Sequence, residues 1–179
     1  MNNYIRIVDR FSHVITGSFY GHTHKDEITL VYNKEKKPIS VAYISGSLTT
    51  FSDLNPQYTI FDMDSNGKPL DSNIYLSDLD LANQHWSKDH KSSPVWRHEY
   101  SPVHSYRLQD MSPASWDKFL KEAESDLDLA FLYVGHYNRY SKEFGMSNPK
   151  NITQAEEMIK KIRRFSPFLH LDFNSGDDA

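Results

Sequence analysis

The residues best suited to chemistry come early in the chain. Gly21, His22, Thr23 and His24 are followed closely by Asp26 and Glu27. Neutral imidazole is the commonest protein ligand for zinc and similar metals. On a regular strand, histidines two apart point the same way; in a loop their directions can be set toward two neighbouring ions. Gly21 is expected to allow the tight or unusual backbone angle such a loop needs. The chain has nine histidines and no cysteine. Any metal must therefore be held by nitrogen and oxygen, and disulfides and thiol nucleophiles are excluded. One His-x-His pair among nine histidines also arises by chance, so ligation and coincidence both stand at this point. Asp26 and Glu27 either orient an imidazole through a hydrogen bond or are solvated acids opening a strand; the second is the expectation. His85, His90, His98 and His104 share one stretch, but their irregular spacing argues against a second metal site. His13 reads as a loop residue, and His136 and His170 as helix-face or tail residues without a chemical role.

The elements that must position the pair fall into two halves. Residues 14–79 are strand-like. "VITGSFY" (14–20) is a β-branched and aromatic run that feeds the histidine loop, and "EITLVYN" (27–33) leaves it with Ile28, Leu30 and Tyr32 on one side. A lysine-rich turn joins that run to "ISVAYIS" (39–45), which predicts a hairpin. "YTIFDMD" (58–64), the turn "SNGKP" and "NIYLSDL" (73–79) predict another. After a long, aromatic-rich and weakly periodic stretch at 85–110, expected as a loop, the period changes. Ser112 is a good N-cap and Pro113 suits a first helical position. Trp116, Phe119, Leu120 and Ala123 then recur at helical spacing. The stripe continues through Leu127, Ala130, Phe131 and Val134 after a break near Ser125 and Asp126. A last amphipathic helix is predicted over 151–165, and a disordered tail over 171–179.

The 179 residues carry 24 acidic and 20 basic side chains, for a net charge of −4. No basic surplus exists to neutralise a phosphate backbone, so no nucleic-acid partner is expected. No apolar run approaches the about 18 residues a membrane span requires, and no transmembrane segment is expected. The opening "MNNYIRIVDRF" alternates apolar and polar residues and lacks the continuous apolar core of a secretory signal. Hydrophobic residues amount to 38% and aromatics to 13%, enough for a core. The low mean hydropathy of −0.67 suggests polar loops or an absent packing partner.

Three stretches together resemble a known family. They are Gly21-His22-Thr23-His24 with Asp26 and Glu27, the block "SLTTFSDLNPQYTIFDMD" (47–64), and "SPASWDKFLKEAESDLDLAFLYVGHY" (112–137). In this order they resemble the closing portion of acid sphingomyelinase and its relatives among the calcineurin-like metallophosphoesterases. The histidine motif alone would indicate only that broad superfamily; the second block points to the sphingomyelinase branch. The resemblance implies a dinuclear zinc centre, with His22 ligating one ion and His24 the other. Two ions about 3.5–4 Å apart clamp a phosphate, turn a bridging water into a nucleophile and stabilise the leaving oxygen. Phe51 stands where the family pattern places a tyrosine near the phosphocholine headgroup. Its ring could hold a quaternary ammonium by cation–π attraction, without the hydroxyl contact, or could simply anchor the loop or core.

The family takes its other ligands from Asp-x-His, Gly-Asp-x-x-Asp, Gly-Asn-His-Glu/Asp and a further histidine that precede Gly-His-x-His. The first three patterns do not occur in this chain. The expected fold is therefore α/β and incomplete: the second β-sheet of a metallophosphoesterase sandwich followed by a helical C-terminal subdomain. Residues 1–84 would close the catalytic domain and 85–170 form the subdomain. One sheet face should want the missing N-terminal half as its partner, alongside a phosphodiester lipid substrate. The expected function is the C-terminal segment of a sphingomyelin phosphodiesterase-like hydrolase, inactive as an isolated chain. The alternatives are a non-catalytic interaction module or a split-enzyme subunit on a degenerate scaffold. The family implies a secreted or lysosomal home, where Asn151, Ile152 and Thr153 would form a glycosylation acceptor; the absence of cysteine points away from it.

Overall fold

A computed structural model describes residues 2–51, 53–90, 93–141, 153 and 155–160. The chain is of the mixed α/β class, but the strands expected in one sheet divide between two. In the first sheet the order is β1 (Ser18–Tyr20), β3 (Pro38–Ile44), β2 (Glu27–Tyr32), with β1 parallel and β2 antiparallel to the central strand. The second is an antiparallel meander of β4 (Gln57–Met63), β5 (Pro69–Ser77) and β6 (Trp96–Tyr100). Both expected hairpins form, each with a register shift near its turn.

The period-two pattern of β2 decides which face goes where. Ile28, Leu30 and Tyr32 enter the main core, while Val31 points to the opposite face and is covered by α1 (Asn2–Phe11). This corrects the alternation seen in the first residues: Ile5 and Val8, three apart, are buried on one side of a helix. Aromatic contacts join the sheets. Phe61 of β4 meets Phe19 of β1 edge-on at 4.8 Å and Tyr43 of β3 at 5.6 Å between ring centroids.

The helical half packs onto the same core. In α4 (Pro113–Ala123) the Ser112 side chain accepts from the Ser115 amide, and Trp116, Phe119, Leu120 and Ala123 are buried, as the spacing predicts. α5 (Leu127–Tyr137) starts after the expected break, with Asp126 as its cap. Burying an aromatic side chain such as Phe119 contributes about 1.5–3 kcal/mol. The core contains Ile28 and Val41 together with Trp116 and Tyr133, so it runs across residue 84 without interruption. Of the helix expected over 151–165, residues 153 and 155–160 are helical, and Ala155 and Ile159 join the core. The remainder of that helix, the glycosylation pattern at Asn151, His170 and the tail lie outside the described residues.

The stretch expected as a loop at 85–110 is instead largely ordered. It holds the end of α2 (Leu79–Asp89), all of β6 and the short α3 (Pro102–Ser105). Two features hid this. α2 lies on the surface with no buried residue among those whose side chains are described, and β6 buries Tyr100 alone, so neither shows a period. The capping signal was present in Asp78, whose side chain accepts from the Leu81 amide. Among the described residues no helix is long and apolar enough to cross a membrane.

Candidate functional site

Parallel pairing brings β1 to the rim of the first sheet beside β3, and the chain then turns through residues 21–26 into β2. His22 and His24 both adopt left-handed backbone angles there, with φ of 84° and 63°. Gly21 does not, which corrects the expectation that the glycine carries the unusual angle. For residues with a Cβ this region costs roughly 1–2 kcal/mol each. Such outliers persist where the surroundings fix them, often at functional sites. His22 is exposed and His24 half-buried, with its ring edge-on to Phe51 at 5.8 Å. Phe51 is 72% exposed, so it is not a core residue. Two sequence-selected residues from separate loops, His24 and Phe51, are thus in contact.

Beneath this rim lies a buried polar shell. The Asp26 carboxylate turns inward and accepts from Tyr100 Oη at 2.6 Å and from Gln57 Nε2 at 2.7 Å. It is not solvated, contrary to expectation; Glu27 beside it is half-buried at the strand start. Burial pushes the Asp26 carboxyl up to about 6, against the two hydrogen bonds and the Arg139 charge that favour its ionised form. The Tyr100 ring stacks on His136 with centroids 3.6 Å apart and planes 6° from parallel. His136 Nδ1 lies 2.7 Å from Tyr106 Oη. Desolvation lowers His136 to about 3, so the ring is neutral. Arg139 is fully buried below the same loops; it donates through Nη1 to the Ser47 carbonyl, while its Nε and Nη2 find no hydrogen-bond partner among the described residues.

Gln57, Tyr100 and Arg139 were not singled out by sequence reasoning, and His136, expected as a helix-face residue without a role, is buried against Tyr100 and Tyr106. One signal was available: a glutamine opens β4 directly before the aromatic and β-branched run Tyr58, Thr59, Ile60 and Phe61. The stacking of Tyr100 on His136 joins residues from β6 and α5 and has no local signature.

Among the described residues no group of three histidine, aspartate or glutamate side chains is placed to hold a metal. The nearest carboxylate along the loop, that of Asp26, is committed to Tyr100 and Gln57. His22 and His24 alone do not fit a dinuclear centre, which needs a bridging acid as well as further ligands. Elsewhere, His98 meets Asn73 at 3.2 Å and the Tyr75 ring edge-on, and His90 caps α2 against Trp86.

No family model matches the chain. Curated relatives do. A sphingomyelin phosphodiesterase of Caenorhabditis elegans is 40% identical over 126 residues, 67% of this chain and 21% of the relative. The Bos taurus sphingomyelin phosphodiesterase is 33% identical over 143 residues, covering 75% of this chain and 22% of its own length. A cyclic GMP-AMP phosphodiesterase of Bos taurus is 31% identical over 98% of this chain and 37% of itself. The chain thus spans from about a fifth to somewhat more than a third of the length of these relatives. On these similarities, the chain belongs to the acid sphingomyelinase-like phosphodiesterase family, of whose members it represents a portion.

Proposed function

We propose that this chain is the part of a sphingomyelinase-like phosphodiesterase that contributes His22 and His24 to a dinuclear zinc centre. The remaining ligands come from a missing N-terminal half. The observation that carries this is the rim itself: two histidines held in strained left-handed geometry, one against Phe51, above a buried shell that ends at Asp26. The substrate is a phosphodiester, sphingomyelin or a related compound, and Phe51 offers its ring face to the headgroup. Two neutral imidazoles without a bridging carboxylate bind zinc weakly, so the isolated chain is inactive.

The test compares the 179-residue chain with a version extended at its N-terminus by the corresponding portion of a family member. Zinc-dependent hydrolysis of a chromogenic phosphodiester and of sphingomyelin is measured for both. Hydrolysis is expected only from the extended protein, and His24→Ala should lower it by about two orders of magnitude or more. Zinc-dependent turnover by the short chain, abolished by His24→Ala, would instead mean that it is complete. An extended protein that folds, binds zinc and hydrolyses nothing would favour a non-catalytic module.

A further inference from the structure

We infer that residues 137–141, at the C-terminal end of α5, form a clasp that fixes the two rim loops relative to one another, with Arg139 as its positioning residue. The inference rests on the proposal that His24 and Phe51 serve one site.

The clasp grips the loop at 21–27 in two places. The Asp26 amide donates to the Tyr137 carbonyl at 3.4 Å, and Lys25 Nζ donates to Asn138 Oδ1 at 2.9 Å. It grips the loop at 45–56 in three. Arg139 Nη1 donates to the Ser47 carbonyl, Asn55 Nδ2 donates to the Arg139 carbonyl at 3.0 Å, and Ser141 Oγ donates to the Asp53 carbonyl. One five-residue segment thus bonds to both loops that carry the rim residues. Gln57 extends the link, since its amide donates to the Ser47 carbonyl while its side chain reaches Asp26.

The backbone of the clasp is itself constrained. Arg139 and Tyr140 sit at φ of 53° and 46°, and the Tyr140 amide returns to the Gly135 carbonyl at 3.0 Å. This closes α5 by a left-handed termination that turns the chain back over its last turn. A Cβ at Gly135 would lie 2.7 Å from the Tyr140 ring, and one at Gly46 would lie 2.8 Å from the Gln57 side chain and 3.0 Å from Arg139. Both glycines therefore allow close passage. A buried guanidinium with two nitrogens, Nε and Nη2, unpartnered among the described residues is costly if its task is stability alone. A rigid fork reaching from a helix end to the backbone of a distant loop, with the Asp26 charge beside it, accounts for its position.

The chain lacks cysteine, so pairs of spin labels can be placed without background. Thr23→Cys with Thr50→Cys reports the spacing of the two rim loops. Glu35→Cys with Asn66→Cys reports the spacing of the two hairpin turns, away from the clasp. In an otherwise unaltered chain both pairs should give narrow distance distributions. Arg139→Met should broaden the first by about twofold and leave the second unchanged. Arg139→Lys, which keeps the charge, should restore part of the narrowing. An unchanged first pair, or equal broadening of both, overturns the clasp. Should Arg139→Met fail to fold by circular dichroism, the Asn55→Ala/Ser141→Ala double variant decides by the same criteria. Neither metal nor substrate enters the measurement, so its failure is separate from a failure of the proposed phosphodiesterase role.

Discussion

The rim and the shell beneath it are built on opposite principles. At the rim, His22 and Phe51 face solvent, both histidines are strained, and among the described residues no carboxylate or further histidine is grouped with them to hold a metal. In the shell, Gln57, His136 and Arg139 are buried, the hydrogen bonds are short, and aromatic rings stack on the polar groups. A shell this committed under a rim this sparse is the arrangement expected of a support whose load is completed from elsewhere. On the proposed function, positioning is local to the chain and the chemistry is completed by ligands from elsewhere.

The sharpest way to break that contrast is to remove the shell's aromatic member. Tyr100→Ala deletes the ring stacked on His136 and one of the two donors to Asp26, and should cost about 3–5 kcal/mol. Tyr100→Phe keeps the ring and removes only the hydroxyl, for about 1–3 kcal/mol. Urea unfolding separates the two. If Tyr100→Ala costs no more than a surface substitution, the shell is not a support.

A smaller effect comes from pH. The unfolded His136 titrates near its ordinary 6.5, and the folded one near 3. Between these values the unfolded state binds a proton that the folded state does not, so stability falls as pH drops below 6.5. At about 1.4 kcal/mol per pH unit, the loss attributable to this group at pH 5 is about 2 kcal/mol. Asp26 acts in the opposite sense. Its folded value is raised to about 6 from 3.8, so the folded state gains a proton first and stability rises as pH falls through that window. His136→Gln should therefore flatten the acid loss, and Asp26→Asn should steepen it. Identical pH slopes in both variants and the parent chain would remove the shell's electrostatic character.

How much of this was legible differs between the same two regions. The rim could be read because His22, His24 and Phe51 lie in short local motifs, and the helical half because Ser112, Pro113 and the Trp116 stripe follow helical spacing. The shell could not. Asp26 looks like any acid before a strand until β4 and β6 bring Gln57 and Tyr100 to its carboxylate, and those approaches depend on tertiary structure. β6 was missed for a related reason: four of its five residues are exposed, so it lacks the alternation that marks a half-buried strand. A tight or unusual backbone angle is expected at Gly21 because glycine adopts such angles without strain. The chain places it on the two histidines instead.

That displacement leads to the smallest and most discriminating expectation. A residue held at positive φ for structural reasons alone is replaced by glycine with a gain, because the steric cost disappears and no contact of value is lost. His22 is exposed, and the His24 ring meets Phe51 in a T-shaped contact. His22→Gly and His24→Gly should therefore leave stability unchanged or raise it by up to about 1 kcal/mol, read from thermal melts of the isolated chain. The same substitutions in the N-terminally extended protein should abolish zinc-dependent hydrolysis. Opposite signs in the two measurements would identify the strain as one retained for function. A loss of stability from either glycine would place the histidines in the supporting shell and erase the distinction between the two regions.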